Sequence, residues 1–336
     1  MNKSEAPSPD LSLKNEVVKN IQPQESLPEK TPALRVKGLR KAFGRKIAVA
    51  GLDFAVPLGS VAGFLGPNGA GKTTTLRLLL GLITADAGEM ELFGHQMPAG
   101  RTEALEHTGA LVEAPCFIES MSGTENLWWF GSLHRPLPTG RVEEVLDLVG
   151  LREAASRPFG NYSTGMKQRL GVACALLHNP DLLILDEPTN GMDPQGRAQM
   201  RDIFKKIHET YQTTIFLSSH LIDEIQRLCD FVVIVDAGRT VRQGFVADIL
   251  SRERESWEIR IPATGDMLKA RETVAGLPEV IGVEAAPRGL IVSLSPGASQ
   301  RVNRALLEAG IEVSALIPLE ASLEETFLKL TDSKTS

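Results

Sequence analysis

The chain has 336 residues, with 42% hydrophobic and 23% charged residues, which leaves material for about two domains at ~100–200 residues each. Its net charge of −6 argues against a nucleic-acid surface, which would show as a basic stripe, and gives no polybasic signal for anionic lipid. No run approaches the ~18–20 apolar residues of a membrane helix, and the N-terminus lacks the apolar core of a signal peptide. The chain is therefore expected in the cytoplasm, reaching a membrane only through a partner. Cys116, Cys174 and Cys229 are widely spaced, without zinc or redox spacing, and are expected as buried free thiols.

Residues 1–32 scatter five prolines among Ser, Glu, Lys and Asn, the composition of a disordered tail. From Leu34 onward strands and helices alternate. Ser60–Leu65 reads as a strand and Lys72–Leu82 as a helix. Helical periodicity dominates from about 118 to 180, as in Arg141–Val149 and Lys167–Leu177. Glu125–Phe130 opens a further helix, whose aromatics Trp128, Trp129 and Phe130 are expected in a subdomain core. Leu182–Leu185, Thr214–Leu217 and Phe231–Val235 are short apolar runs of the kind buried in a parallel sheet. This alternation predicts an α/β core with a mainly parallel sheet and an inserted helical subdomain.

Composition changes near Ser251–Glu255. Beyond it, a strand at Trp257–Ile261 precedes a helix at Asp266–Leu277 and strands at Val280–Glu284 and Leu290–Leu294. A helix at Ala298–Ala309, a strand at Ile311–Ile317 and a closing helix at Ser322–Leu330 complete the chain. Strand and helix order β-α-β-β-α-β is the split βαβ arrangement, so a small α+β domain is expected over 252–332.

Gly66-Pro67-Asn68-Gly69-Ala70-Gly71-Lys72-Thr73 fits G-x-x-x-x-G-K-[ST], follows a strand and opens a helix. Glycines let backbone N–H groups curl around phosphate oxygens, and the helix N-terminus adds a partial charge of ~0.5. Lys72 is placed to reach the β- and γ-phosphates of ATP, Thr73 to ligate Mg²⁺, and Thr74 extends the run. Asp186 and Glu187 leave the strand Leu182–Leu185. Asp186 is placed to hold Mg²⁺ through water, and Glu187 to act as general base for the attacking water.

Further motifs carry a resemblance to the ATP-binding-cassette (ABC) ATPases over residues 34–250. Tyr162-Ser163-Thr164-Gly165-Met166-Lys167-Gln168-Arg169 resembles their signature, commonly Leu-Ser-Gly-Gly-Gln; Ser163 and Gly165 are kept, Thr164 and Met166 depart. Asn190-Gly191-Met192-Asp193 is similar to the D-loop, with Asp193 facing another subunit. His220 resembles the switch histidine that contacts the γ-phosphate, and Phe43 stands where an aromatic stacks on adenine. At the loop joining core and helical subdomain the family usually has glutamine; here it is Glu113, a further ATP-binding and Mg²⁺ candidate. That variant resembles exporters giving self-protection against lantibiotics and bacitracin-like peptides.

The resemblance implies a P-loop NTPase cassette over 33–250, with a RecA-like parallel core and a helical subdomain. It implies two ATPs sandwiched between two copies, or between this chain and a paralogous ATPase. Each ATP touches the phosphate loop of one copy and the signature of the other. The implied function is the ATPase subunit of an exporter of antibiotic, peptide or other hydrophobic cargo. A separate membrane permease would hold it at the cytoplasmic face of the plasma membrane. The rival readings are a soluble ABC ATPase acting on DNA or ribosomes, and an importer ATPase. The former usually carries tandem cassettes or a coiled-coil insertion, and neither is visible here.

Overall fold

The structure is a computed structural model that describes residues 32–251, 255–262, 265–295, 297–319, 323, 324 and 327. The tail expected at 1–32 therefore lies, but for Pro32, outside the described residues. So does most of the helix expected at Ser322–Leu330.

Strands β1 (Leu34–Phe43), β2 (Lys46–Val56) and β3 (Val61–Leu65) precede α1 (Lys72–Leu79). Next come β4 (Ala87–Leu92), β5 (His95–Met97), α2 (Arg101–Glu106) and β6 (Thr108–Leu111). The helical subdomain contains α3 (Gly123–Ser132), α4 (Arg141–Leu148) and α5 (Thr164–Leu176). The chain returns through β7 (Leu182–Asp186), α6 (Pro194–Tyr211), β8 (Thr214–Ser219) and α7 (Ile222–Leu228). It then forms β9 (Phe231–Asp236), β10 (Arg239–Phe245) and α8 (Val246–Ser251).

These ten strands make one sheet, in the order β5-β4-β1-β2-β10-β9-β3-β8-β7-β6. The run from β9 to β6 is parallel, as expected. The other end is not: β1, β2, β4 and β5 pair antiparallel, and β10 pairs antiparallel with β9. Side chains of the parallel strands alternate between two cores, as a period of two requires. Ala62, Phe64, Leu182, Ile184, Phe216 and Val233 enter one core. Leu65, Leu183, Leu185, Leu217, Val232 and Ile234 enter the other. Burial on both faces explains why these strands read as continuous apolar runs.

Helix α1 stops at Leu79, short of the expected Leu82. Gly81 takes φ 64° and its N–H returns to the Leu78 carbonyl, which closes the helix. In α3 the Ser122 hydroxyl accepts from the Glu125 N–H while the Glu125 carboxylate accepts from the Ser122 N–H, a reciprocal cap. One face of α3 buries Asn126 and Leu127. Trp128 and Trp129 leave on the other, 41% and 52% exposed, which overturns the expectation that they are core. Phe130 does pack inward, its ring 5.2 Å from that of Phe117. Cys116 is likewise exposed, against expectation. Burial pushes the Cys174 thiol up to about 11 and the Cys229 thiol further up, so both stay protonated and unreactive.

The C-terminal elements are β11 (Glu255–Arg260), α9 (Met267–Ala275), β12 (Val280–Ala286), β13 (Gly289–Leu294), α10 (Ser299–Glu308) and β14 (Ala315–Leu319). The second sheet has the order β12-β13-β11-β14, with every pairing antiparallel. That is the split βαβ topology. Its core joins Ile259, Val292 and Leu294 to Val274, Val302 and Leu306 of the helices. The last strand starts at Ala315, not at Ile311. Gly310 takes φ 72° and the Ile311 N–H bonds the Leu306 carbonyl, so Ile311 seals the end of α10.

Leu323 returns to the first unit. It is fully buried in the core of the ATP-motif-bearing part, with Phe327 packed against the same cluster. Its N–H donates to the Gln226 side-chain oxygen on α7 at 2.9 Å. Leu323→Ala is expected to cost ~2–5 kcal/mol of stability through lost burial and a residual cavity. Denaturant unfolding of the full chain checks this, with exposed Leu268 as control. Leu268→Ala should stay within ~0.5 kcal/mol.

Candidate active site

Strand β3 delivers the chain to Gly66–Gly71, and α1 carries it away. A Cβ at Gly71 would lie 2.4 Å from the Ala48 carbonyl oxygen, and its φ is 96°, so only glycine fits this entry to the helix. No side chain caps α1, which leaves its first turn free to face an anion. Pro67, Asn68 and Gly69 are exposed, Gly66 and Ala70 are buried, and Thr73 and Thr74 are half-buried in the first turn.

Lys72 is buried, and its ammonium donates to the Gly66 carbonyl at 2.7 Å and the Pro67 carbonyl at 3.3 Å. It also lies 3.2 Å from Glu187 Oε1. The other carboxylate oxygen of Glu187 is 2.8 Å from His220 Nδ1. A carboxylate only accepts, so this contact places the imidazole proton on Nδ1. Lys72 from the start of α1, and Glu187 and His220 from just beyond the ends of β7 and β8, thus converge. Asp186 is buried at the end of β7, where its Oδ1 accepts from the Ser218 hydroxyl at 2.6 Å. The Ser218 oxygen in turn accepts from the Glu187 N–H at 2.9 Å. Glu187 has φ 45°, a left-handed conformation rare for residues other than glycine.

Glu113 too is left-handed, with φ 74°, and its carboxylate pairs with Arg77 near the end of α1. Arg77 lies one helical turn beyond Thr73, on the same face of the helix. Glu113 lines a cleft of about 570 Å³ between β6 and α5, together with Cys116, His134 and His178. Phe43 ends β1 half-exposed, with the Lys41 ammonium over its ring, 5.5 Å from the centre. Asp86 steadies this edge by accepting from Lys41 at 2.8 Å and the Ala42 N–H at 2.7 Å, contacts that hold its carboxyl below the usual range.

Ser163 caps α5, its hydroxyl accepting from the Met166 N–H at 3.3 Å. Asp193 caps α6 in the same way, accepting from the Gly196 N–H at 2.8 Å. Ser163, Thr164 and Gly165 line a cleft of about 440 Å³ with Gly191, Met192 and Asp193. Met166 is half-buried beside them and packs on the core. No residue of Gly66–Thr74 lines this cleft. Signature and phosphate loop thus do not share this cleft. Ser218, Thr189, Glu224 and Arg77 were not anticipated. Only Ser218 had a local signal, its place one residue before Ser219-His220.

A family model described as ABC transporter matches residues 49–190. The bacitracin transport ATP-binding protein BcrA of Bacillus licheniformis is 37% identical over 90% of this chain and 98% of that protein. The chain belongs to the ABC transporter ATP-binding proteins. As an ABC ATPase it binds and hydrolyses ATP. The linearmycin resistance ATP-binding protein LnrL of Bacillus subtilis is 33% identical to this ABC protein, over 89% of the chain and 98% of the relative. The solved structure of cbiO1 from Clostridium perfringens, part of an ABC transporter complex, aligns with a TM-score of 0.60 and 26% identity. That match covers 66% of the ABC protein and 92% of cbiO1. Among the described residues no helix is long and apolar enough to cross a membrane.

Proposed function

We propose that this ATPase drives export of an antibiotic, peptide or other hydrophobic cargo through a separate permease. It would act at the cytoplasmic face of the plasma membrane, paired with a second copy or a paralogous ATPase. The observation that carries the reading is near full-length similarity to proteins named for bacitracin transport and for linearmycin and daunorubicin resistance. The signature cleft, which no residue of the phosphate loop lines, supports a facing partner.

In this reading the Gly66–Gly71 backbone, Lys72, Thr73 and Thr74 hold the phosphates, and Phe43 stacks on adenine. Phosphate oxygens draw the Lys72 ammonium from Glu187, which frees that carboxylate to take a proton from the attacking water. His220 keeps Glu187 oriented and lies close enough to share the γ-phosphate. Thr73 and Asp186 fit Mg²⁺: both offer hard oxygen donors, and phosphate and water oxygens would complete the shell. The ion would neutralise charge on the phosphates. Ser163, Thr164, Gly165 and Met166 act on the partner's ATP through the N-terminus of α5, with Asp193 at the subunit boundary. Exposed Trp128 and Trp129 on α3, with Leu133 just past its end, offer the permease an apolar docking face.

Deleting the coding sequence should sensitise the host to one or more of bacitracin, linearmycin, daunorubicin and related antibiotics, and the wild-type allele should restore resistance. Unchanged sensitivity across such a panel would remove antibiotic as the cargo.

Glu113 is proposed to transmit the state of the nucleotide to the permease without serving as base. Glu113→Gln is expected to retain at least about a fifth of basal hydrolysis, since an exposed pair such as Glu113–Arg77 contributes only ~0–1 kcal/mol, and about 1.4 kcal/mol is a factor of ten. It should lose more of cargo export. ATPase rate and export, measured side by side in membranes containing the permease, check this. A loss of hydrolysis as deep as that of Glu187→Gln would put Glu113 in the chemistry.

A further inference from the structure

Glu224 is a buried carboxylate that the reading above leaves without a role. It lies in the first turn of α7, with 9% of its side chain exposed. Its Oε2 accepts from the Thr189 hydroxyl at 2.6 Å, and Arg197 Nε on α6 lies 3.4 Å from Oε1. A buried charge is tolerated only when paired and hydrogen-bonded, and here both partners come from the segment that follows β7.

The location gives the contact its meaning. Glu187 holds a left-handed backbone without being glycine, and such a conformation persists only where its surroundings over-determine it. On one side Ser218 is the clamp, bound to both Asp186 and the Glu187 N–H. Within the turn, the Asn190 N–H donates to the Glu187 carbonyl at 3.0 Å. On the other side the clamp is Thr189, two residues beyond Glu187. It ends on the helix that starts two residues after His220. Helix α7 is itself fixed from below, because Ile225 fills the space a Cβ at Gly63 of β3 would need, 2.7 Å away. Glu224 is thus attached to a rigid element, and the turn bearing Glu187 is attached to Glu224.

We propose that Glu224 is a positioning residue for ATP hydrolysis. Through Thr189 it fixes the turn carrying Glu187 against the loop carrying His220, with Arg197 anchoring the carboxylate from α6. The inference rests on Glu187 being the general base. Arg197 also donates to the Met192 carbonyl beside Asp193, so the same strut reaches the loop that lines the signature cleft.

The test uses the full chain and steady-state hydrolysis of ATP with Mg²⁺. Thr189→Val removes the hydroxyl, keeps the shape and leaves the Glu224–Arg197 pair in place. It is expected to lower kcat about tenfold or more, the scale of a lost hydrogen bond to a buried charge, with KM for ATP near wild type and the unfolding midpoint lowered but still well above the assay temperature. Thr189→Ser returns the hydroxyl and should recover most of the rate. Glu224→Gln keeps an acceptor for Thr189 and should fall between them. In a Glu187→Gln background, Thr189→Val should cause no further loss, because the group it positions is gone. A wild-type kcat for Thr189→Val, or a loss that Thr189→Ser leaves unrepaired, overturns the inference while the assignment of Glu187 stands. Wild-type turnover in Glu187→Gln itself sinks both.

Discussion

Glu187→Gln is expected to cut ATP turnover by about 10²–10⁴-fold, the usual worth of a positioned general base, while ATP still binds. Glutamine keeps the size of the side chain and an oxygen for His220 Nδ1, which Glu187 meets at 2.8 Å. It cannot accept the proton of the attacking water. Binding should hold or tighten for two reasons. A negative charge beside the γ-phosphate is removed, and Lys72 loses the carboxylate 3.2 Å away that competes for its ammonium. Closure without hydrolysis should then accumulate a stable ATP-bound dimer. Light scattering with ATP and Mg²⁺ measures the mass, and phosphate release measures turnover. A variant that turns over at the wild-type rate would remove Glu187 from the role.

Lys72→Ala is expected to act one step earlier, lowering ATP affinity by about 10–100-fold. Hydrogen bonds to charged groups contribute ~1.5–3 kcal/mol, and each 1.4 kcal/mol is a factor of ten. The Lys72 side chain is only 6% exposed, so its attraction to phosphate is screened little by water. Its ammonium is already held by the Gly66 and Pro67 carbonyls of the loop that would surround the phosphates. Little further ordering is needed when nucleotide arrives. Equilibrium titration with a fluorescent ATP analogue at fixed ionic strength gives the affinity directly. An unchanged value would show that Lys72 does not reach the phosphates. Together the two variants separate binding from chemistry: one retains ATP and cannot cleave it, the other fails to retain it.

The parts of this protein that the sequence determines by itself are those written over a few neighbouring residues. Alternation between two apolar faces marks Leu182–Leu185 and Phe231–Val235 as strands buried on both sides. Their surroundings impose the same demand at every position. The phosphate loop is legible because Gly71 needs a left-handed backbone against Ala48, and Lys72 needs the first turn of a helix. The split βαβ order of the C-terminal elements follows from local periods alone.

What only the tertiary structure decided are relations between distant segments, because contact there depends on how rigid elements pack and not on residue type. Nothing local distinguishes Trp128 and Trp129 from core aromatics. Their exposure follows from the face of α3 that Asn126 and Leu127 bury. The antiparallel end of the sheet arises from register between β1, β2 and β4, with irregularities that no period reveals. Leu323 reads as part of the C-terminal unit, yet it is buried in the other core, where Gln226 of α7 holds its backbone. Glu113 presents the chemistry of a metal ligand, and its pairing with Arg77 of α1 has no local signal. Glu224 and Thr189 are unremarkable in sequence; packing α7 against β3 brings them to 2.6 Å, and a buried carboxylate then makes that bond costly to lose.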